Sequence, residues 1–160
     1  MKEKFKYLYL EIESLLSNER NFISNASNFA AHLFSKLENV SWLGFYFNSN
    51  GDLLLGPFAG KPACSRLPHG KGVCGSSFIT KKTIIVGDVH QFPGHIACDD
   101  ANNSEIVVPL IKDDIAFGVL DLDSLSFDRF NDDDKESLEA LVKILIQSSD
   151  TEALIKYYNS

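Results

Sequence analysis

The chain has 160 residues, 44% hydrophobic and 23% charged, the composition of an ordinary globular domain with one sizeable core. Its net charge of −7 opposes nucleic acid and anionic membranes, and no basic patch with interleaved aromatics offsets it. Glu3, Lys4, Lys6 and Glu11 stand where a signal peptide would need an apolar core, and the cysteine count is odd, so a cytoplasmic, reducing setting is expected rather than a secreted disulfide framework.

Phe5, Leu8, Ile12, Leu15 and Leu16 recur at helical spacing, and Phe22, Ala26, Phe29, Ala30, Leu33, Phe34 and Leu37 repeat the pattern after a polar break at Ser17 to Arg20. Two amphipathic helices are therefore predicted to open the chain. Ser41 to Phe47 and Asp52 to Phe58 flank Asn48-Ser49-Asn50-Gly51 and read as a β-hairpin. A glycine-rich loop follows, then strands at Thr83 to Val86, Glu105 to Ile111 and Ile115 to Leu122, the last two joined through Lys112-Asp113-Asp114. Asn131 with Asp132, Asp133 and Asp134 provides a cap and first-turn negative charge for a helix whose buried face is Leu138, Leu141, Val142, Leu145 and Ile146. The reading is α+β: one domain over residues 1–160, with helices at about 3–38, an antiparallel β-sheet and loops at about 40–124, and a C-terminal helix at about 131–157.

Cys64, Cys74 and Cys98 all sit in glycine-studded stretches that read as loops, a polar setting that suits reactive rather than packed thiols. Cys98 follows Pro93-Gly94-His95 just before the strand at Glu105 and is the expected nucleophile; Cys64, approached through Gly60-Lys61-Pro62, is the expected resolving thiol. Cys74 is the rival for either role, because it opens what reads as a short helix, and a helix N-terminus lowers a thiol pKa. Asp121 and Asp123 are two apart in a strand and share a face opposite Leu120 and Leu122, and Glu105 opens the strand paired with theirs. Like charges so placed raise one another's pKa and keep a carboxyl protonated at neutral pH. Asp123 is the expected proton donor, with Glu105 and Asp121 orienting the substrate.

Six ordered blocks carry a family resemblance: Trp42-Leu43-Gly44-Phe45-Tyr46, Gly56 to Cys64, Gly70-Lys71-Gly72-Val73-Cys74-Gly75, Pro93 to Asp99, Ser104 to Pro109, and Gly118 to Ser124. Together they resemble the signature blocks of the free methionine-(R)-sulfoxide reductases, which are built on a GAF domain. The resemblance implies a GAF-like fold and reduction of free L-methionine-(R)-sulfoxide by cysteine chemistry, with no cofactor, thioredoxin as reductant and a homodimer as the habit of the fold. It also implies that Trp42 and Tyr46, four apart in a strand and on one face, wall the substrate's apolar side chain. The substrate carboxylate is expected on backbone N–H groups of the glycine-containing loops, Arg66 being the alternative.

Three other readings compete. A zinc site could recruit Cys64, Cys74, Cys98 and His95 or His90, although no C-x-x-C pair is present. A GAF sensor module could bind a small ligand without catalysis, and a purely structural interaction protein would leave the glycine-flanked thiols and paired acids without a purpose.

Overall fold

The computed structural model describes residues 3–160, so Met1 and Lys2 of the expected domain lie outside the described residues. Helices α1 (Glu3–Leu16) and α2 (Phe22–Lys36) form where the periodicity placed them, and Asn21 caps α2 by accepting from the Ser24 N–H. Six strands follow: β1 (Trp42–Ser49), β2 (Asp52–Ala59), β3 (Arg66–Pro68), β4 (Ile84–Val86), β5 (Ser104–Lys112) and β6 (Ile115–Ser124). They make one sheet in the order β3-β2-β1-β6-β5-β4, with every pairing antiparallel.

Two tight turns set its register. Asn50 and Gly51 both have positive φ between the paired residues Ser49 and Asp52, and Asp113 and Asp114 do the same between Lys112 and Ile115. Two-residue loops of this kind match the twist of the strands they join.

The sheet is covered on both faces, so β1, β5 and β6 are buried on both sides along most of their length. Leu43, Phe45 and Phe47 of β1 and Leu120 and Leu122 of β6 pack against α1, α2 and the helix α4 (Asp132–Ser148) in the larger core. Trp42 and Tyr46 point the other way, into a second core shared with Val107, Val119 and helix α3 (Gly72–Thr80). This second face carries Trp42, Tyr46 and Cys74 of the expected site. The Asn131 cap of α4 is a reciprocal capping box with Asp134.

The structure corrects three expectations. The stretch from Gly60 to Gly75 is not all loop: β3 pairs with β2, and the short helix expected beside Cys74 already begins at Gly72, so that Cys74 lies inside it and is buried rather than set in an exposed loop. The C-terminal helix is two helices, α4 and α5 (Thr151–Tyr158). Its break is tertiary in origin, because the Asp150 N–H donates to the Arg20 carbonyl at 2.7 Å and the Asp150 carboxylate caps α5 through the Ala153 N–H. Arg66 pairs exposed with Asp52 at 2.9 Å on the β2–β3 edge and does not line the cavity.

Candidate functional site

Strand register assembles the acidic groups. On the central strands, Trp42 of β1, Asp123 of β6 and Glu105 of β5 form one row across the sheet, and Gly44, Asp121 and Val107 form a row two residues away on the same face. Gly44 is required there. A Cβ at this position would run into Phe58 and the Trp42 ring, which stacks on Phe58 at 5.5 Å between centroids. Its missing side chain makes room for the Trp42 ring in the row next to Asp121.

These rows form the floor of a cavity lined by Trp42, Tyr46, Cys74, Glu105, Asp121 and Asp123, and its rim includes Lys61, Pro62, Ala63, Lys71, Ile96, Cys98 and Asp99. All three carboxylic acids expected at the site thus face one space, together with both aromatic residues and two of the three thiols. Cys64 completes the group from the side, joined to Cys98 by a disulfide whose Cα atoms are 5.5 Å apart.

The loop that carries Cys64 is tethered by the aromatic wall. The Trp42 Nε1–H donates to the Lys61 carbonyl at 3.0 Å, and the Tyr46 hydroxyl donates to the Cys64 carbonyl at 2.9 Å. From the opposite loop, Asp99, next to Cys98, lies 3.8 Å from the Lys61 ammonium. Each cysteine loop therefore has a contact that brings it over the cavity.

Burial dominates the electrostatics. It pushes the Glu105 carboxyl well above the usual range, with the Asp121 and Asp123 charges adding to the effect. Asp123 is raised in the same way, by burial first and then by Asp121 and Asp99. Asp121 is raised by burial to about 6, and its neighbours Glu105 and Cys74 pull partly the other way. Asp121, at about 6, therefore ionises at neutral pH, while burial favours the protonated form of Glu105 and Asp123.

Cys74 is the third residue of α3, but the expected lowering of its pKa does not occur. Full burial, followed by the charges of Asp121, Glu105 and Asp123, raises it well above the ordinary thiol value, and its Sγ donates to Glu105 Oε1 at 3.9 Å. The helix terminus is outweighed by desolvation and three acids. Cys74 is a neutral, packed thiol within the second core.

Sequence reasoning missed Lys61 and Lys71 as cavity residues. Lys61 was visible in the Gly60-Lys61-Pro62 block, but a loop lysine gives no sign of its direction. The Tyr46-to-Cys64 tether was equally hidden, since the hydroxyl's partner is a backbone carbonyl 18 residues away. The zinc set loses two thiols to the Cys64–Cys98 disulfide, and His90 Nε2 bonds to Asn103 Oδ1 at 2.9 Å.

A family model described as a GAF domain matches residues 19–145. The chain is 41% identical to the free methionine-R-sulfoxide reductase of Escherichia coli strain K12, over 99% of this chain and 96% of that protein. Among solved structures, the reduced form of the Staphylococcus aureus fRMsr is similar at 49% identity with a TM-score of 0.87, covering 90% of this chain and 94% of its own. The free methionine-R-sulfoxide reductase of Neisseria meningitidis, solved in complex with its substrate, aligns with a TM-score of 0.88 at 38% identity, covering 92% of this chain and 90% of its own.

Proposed function

This chain belongs to the free methionine-R-sulfoxide reductases of the GAF-domain family, and from that premise we propose that it reduces free L-methionine-(R)-sulfoxide to methionine through Cys98, Cys64 and a buried carboxylic acid. The observation that carries the reading is the Cys64–Cys98 disulfide closing over a cavity whose floor is Glu105, Asp121 and Asp123.

In the first step the Cys98 thiolate attacks the sulfoxide sulfur. Oxide is a poor leaving group, so a protonated carboxyl must donate as the S–O bond breaks. Asp123 is the preferred donor; Glu105, directly opposite it, shares the raised pKa and supports the same proton, and ionised Asp121 attracts the substrate ammonium. The attack bonds Cys98 Sγ to the methionine sulfur; the protonated oxygen then transfers to Cys98 Sγ as the methionine S–O bond and the new S–S bond both break, so that methionine leaves reduced and Cys98 is left oxidised as a sulfenic acid. The Cys64 thiol then condenses with it, expelling water and forming the disulfide. Burial of Cys74 in a neutral state favours Cys64 as resolver.

Trp42 and Tyr46 wall the substrate's methyl and methylene groups. Its carboxylate is assigned to the first turn of α3, where Lys71 is an N-cap without a side-chain hydrogen bond and Gly72 and Val73 line the cavity. Cys98 is exposed, which suits attack on the disulfide by an external dithiol; thioredoxin is the reductant of this reading, and a reducing cytoplasm its setting. Among the described residues, no helix is long and apolar enough to cross a membrane. The whole chain, 1–160, acts as one domain, and the exposed Tyr7 and Leu10 on α1 offer apolar surface to a second copy in a homodimer.

The testing experiment is turnover of each methionine sulfoxide diastereomer with a dithiol or thioredoxin. Reduction of the free (R)-form alone supports the reading; absence of any methionine product refutes it.

A further inference from the structure

Three of the buried groups share a property that proton donation does not require. The Cys74 Sγ, a Glu105 carboxylate oxygen and an Asp121 carboxylate oxygen all lie within 4.8 Å of one another, and each comes from a different element, α3, β5 and β6. All three residues are buried, and Asp121 is only 6% exposed. Asp121 Oδ1 has no hydrogen-bond partner, an orphaned acceptor in the floor of the cavity. Among the described residues, neither Glu105 nor Asp121 forms an ion pair with a lysine or arginine. Burying such acceptors together costs stability unless a proton or a cation joins them.

We propose that Cys74, Glu105 and Asp121 form a binding site for one thiophilic divalent cation of the zinc class, and that the occupied site excludes the substrate. Binding would displace to solvent the protons on Cys74 and Glu105, and the resulting thiolate and two carboxylates make a donor set of intermediate softness, which selects zinc or cadmium over magnesium and calcium. With Zn–S near 2.3 Å and Zn–O near 2.0–2.2 Å, tetrahedral ligands stand about 3.5 Å apart, so side-chain rotations of about 1 Å close the set around an ion. The fourth position opens toward the cavity, as in three-ligand sites that keep one position for an exchangeable group. The ion would occupy two of the acids assigned to the sulfoxide and the ammonium, so cation and substrate compete. Only this competition rests on the proposed function; the cation site itself stands on the three donors.

The test uses the full chain with the Cys64–Cys98 disulfide formed by a mild thiol oxidant and verified by peptide mapping, which leaves Cys74 as the one thiol available. Zinc is titrated against a chromophoric chelator, and cadmium is followed by its ultraviolet thiolate charge-transfer band. One equivalent of either ion should bind, with the cadmium band present, and free methionine-(R)-sulfoxide should raise the apparent Kd in proportion to its concentration. Cys74→Ser should abolish the band, and Asp121→Asn, checked for retained thermal unfolding, should weaken binding at least about tenfold, the scale on which metal sites lose affinity when their ligand arrangement is disturbed. Absence of the band in the parent, or unchanged affinity in both variants, overturns the site. Cation and sulfoxide bound together overturns the exclusion. A chain that failed to reduce sulfoxide would still give the cadmium band, so the two readings fail separately.

Discussion

Glu105 stands directly opposite Asp123 in the β5–β6 register, a pair of acids facing each other on the half of the sheet that is roofed by α3 and the cysteine loops. Opposed like charges destabilise a sheet, and burial makes ionising both groups costlier still. The arrangement therefore favours the protonated form of both groups. Asp123→Asn keeps the shape and removes the proton that the sulfoxide oxygen requires, so the chemical step should slow by roughly 10²-fold or more while substrate binding suffers less. Rapid-quench measurement of single-turnover methionine formation checks this; a parental rate would move the donor role to Glu105.

The two disulfide partners should separate by phenotype. Cys98→Ser should form no methionine, because a hydroxyl cannot replace a thiolate at sulfur. Cys64→Ser should form about one equivalent and stop, leaving a sulfenic acid that a dimedone-type reagent traps. Mass spectrometry of the trapped adduct locates it, and an adduct on Cys74 instead of Cys98 would reassign the nucleophile.

Tyr46 should affect the second half-reaction alone. Its hydroxyl holds the Cys64 carbonyl at 2.9 Å, and Tyr46→Phe removes that tether at a cost of about 1 kcal/mol while leaving the aromatic wall. The methionine burst should be unchanged, and disulfide formation should slow, seen as a longer-lived sulfenic acid. Equal slowing of both steps would place the hydroxyl at the sulfoxide rather than at the loop.

Asp121 should cost the protein stability at neutral pH. Its carboxyl titrates near 6 in the folded chain, against about 3.9 when unfolded, so between those values the native state holds a proton that the unfolded state has released. Stability consequently falls as pH rises from about 4 to about 6, and the deficit persists above that range. Glu105 and Asp123, raised in the same direction, add to the deficit. Asp121→Asn should match the parent in Tm near pH 4 and exceed it at pH 8 by several degrees, at about 2–4 °C per kcal/mol. Thermal unfolding followed by circular dichroism at both pH values measures the difference; a variant less stable than the parent at pH 8 contradicts the electrostatic account.

The faces of β1 and β6 were legible in the sequence because strand alternation needs no tertiary information: Leu120 and Leu122 against Asp121 and Asp123, and Phe45 and Phe47 against Trp42 and Tyr46, divide as their spacing requires. Helix α3 was not legible in full. Gly70, Gly72 and Gly75 read as loop punctuation, and its buried Val73, Cys74, Ser77 and Phe78 span too few turns to display a period. The environment of Cys74 was misjudged for the same reason, since a helix terminus can be read from sequence but the depth of its burial cannot. The break between α4 and α5 depends on Asp150 meeting Arg20 across about 130 residues of chain, a contact that no local pattern encodes.

Substrate size tests the central claim most directly, because it depends on the cysteine loops closing over the acid floor as a unit. Because Cys64 and Cys98 must meet above Glu105, Asp121 and Asp123 in every turnover, their loops close over the space where the sulfoxide is reduced, and the account requires a small substrate that brings its ammonium to Asp121. The decisive measurement is kcat/KM for free L-methionine-(R)-sulfoxide beside its N-acetylated form, which loses the charge and adds bulk. Efficient reduction of the free compound, with the N-acetylated form reduced at least about a hundredfold less well, is the predicted result, as expected where a site built for a charged group meets an analogue that lacks it. Comparable values for the two would contradict the closed cavity and recast the chain as a reductase of oxidised proteins.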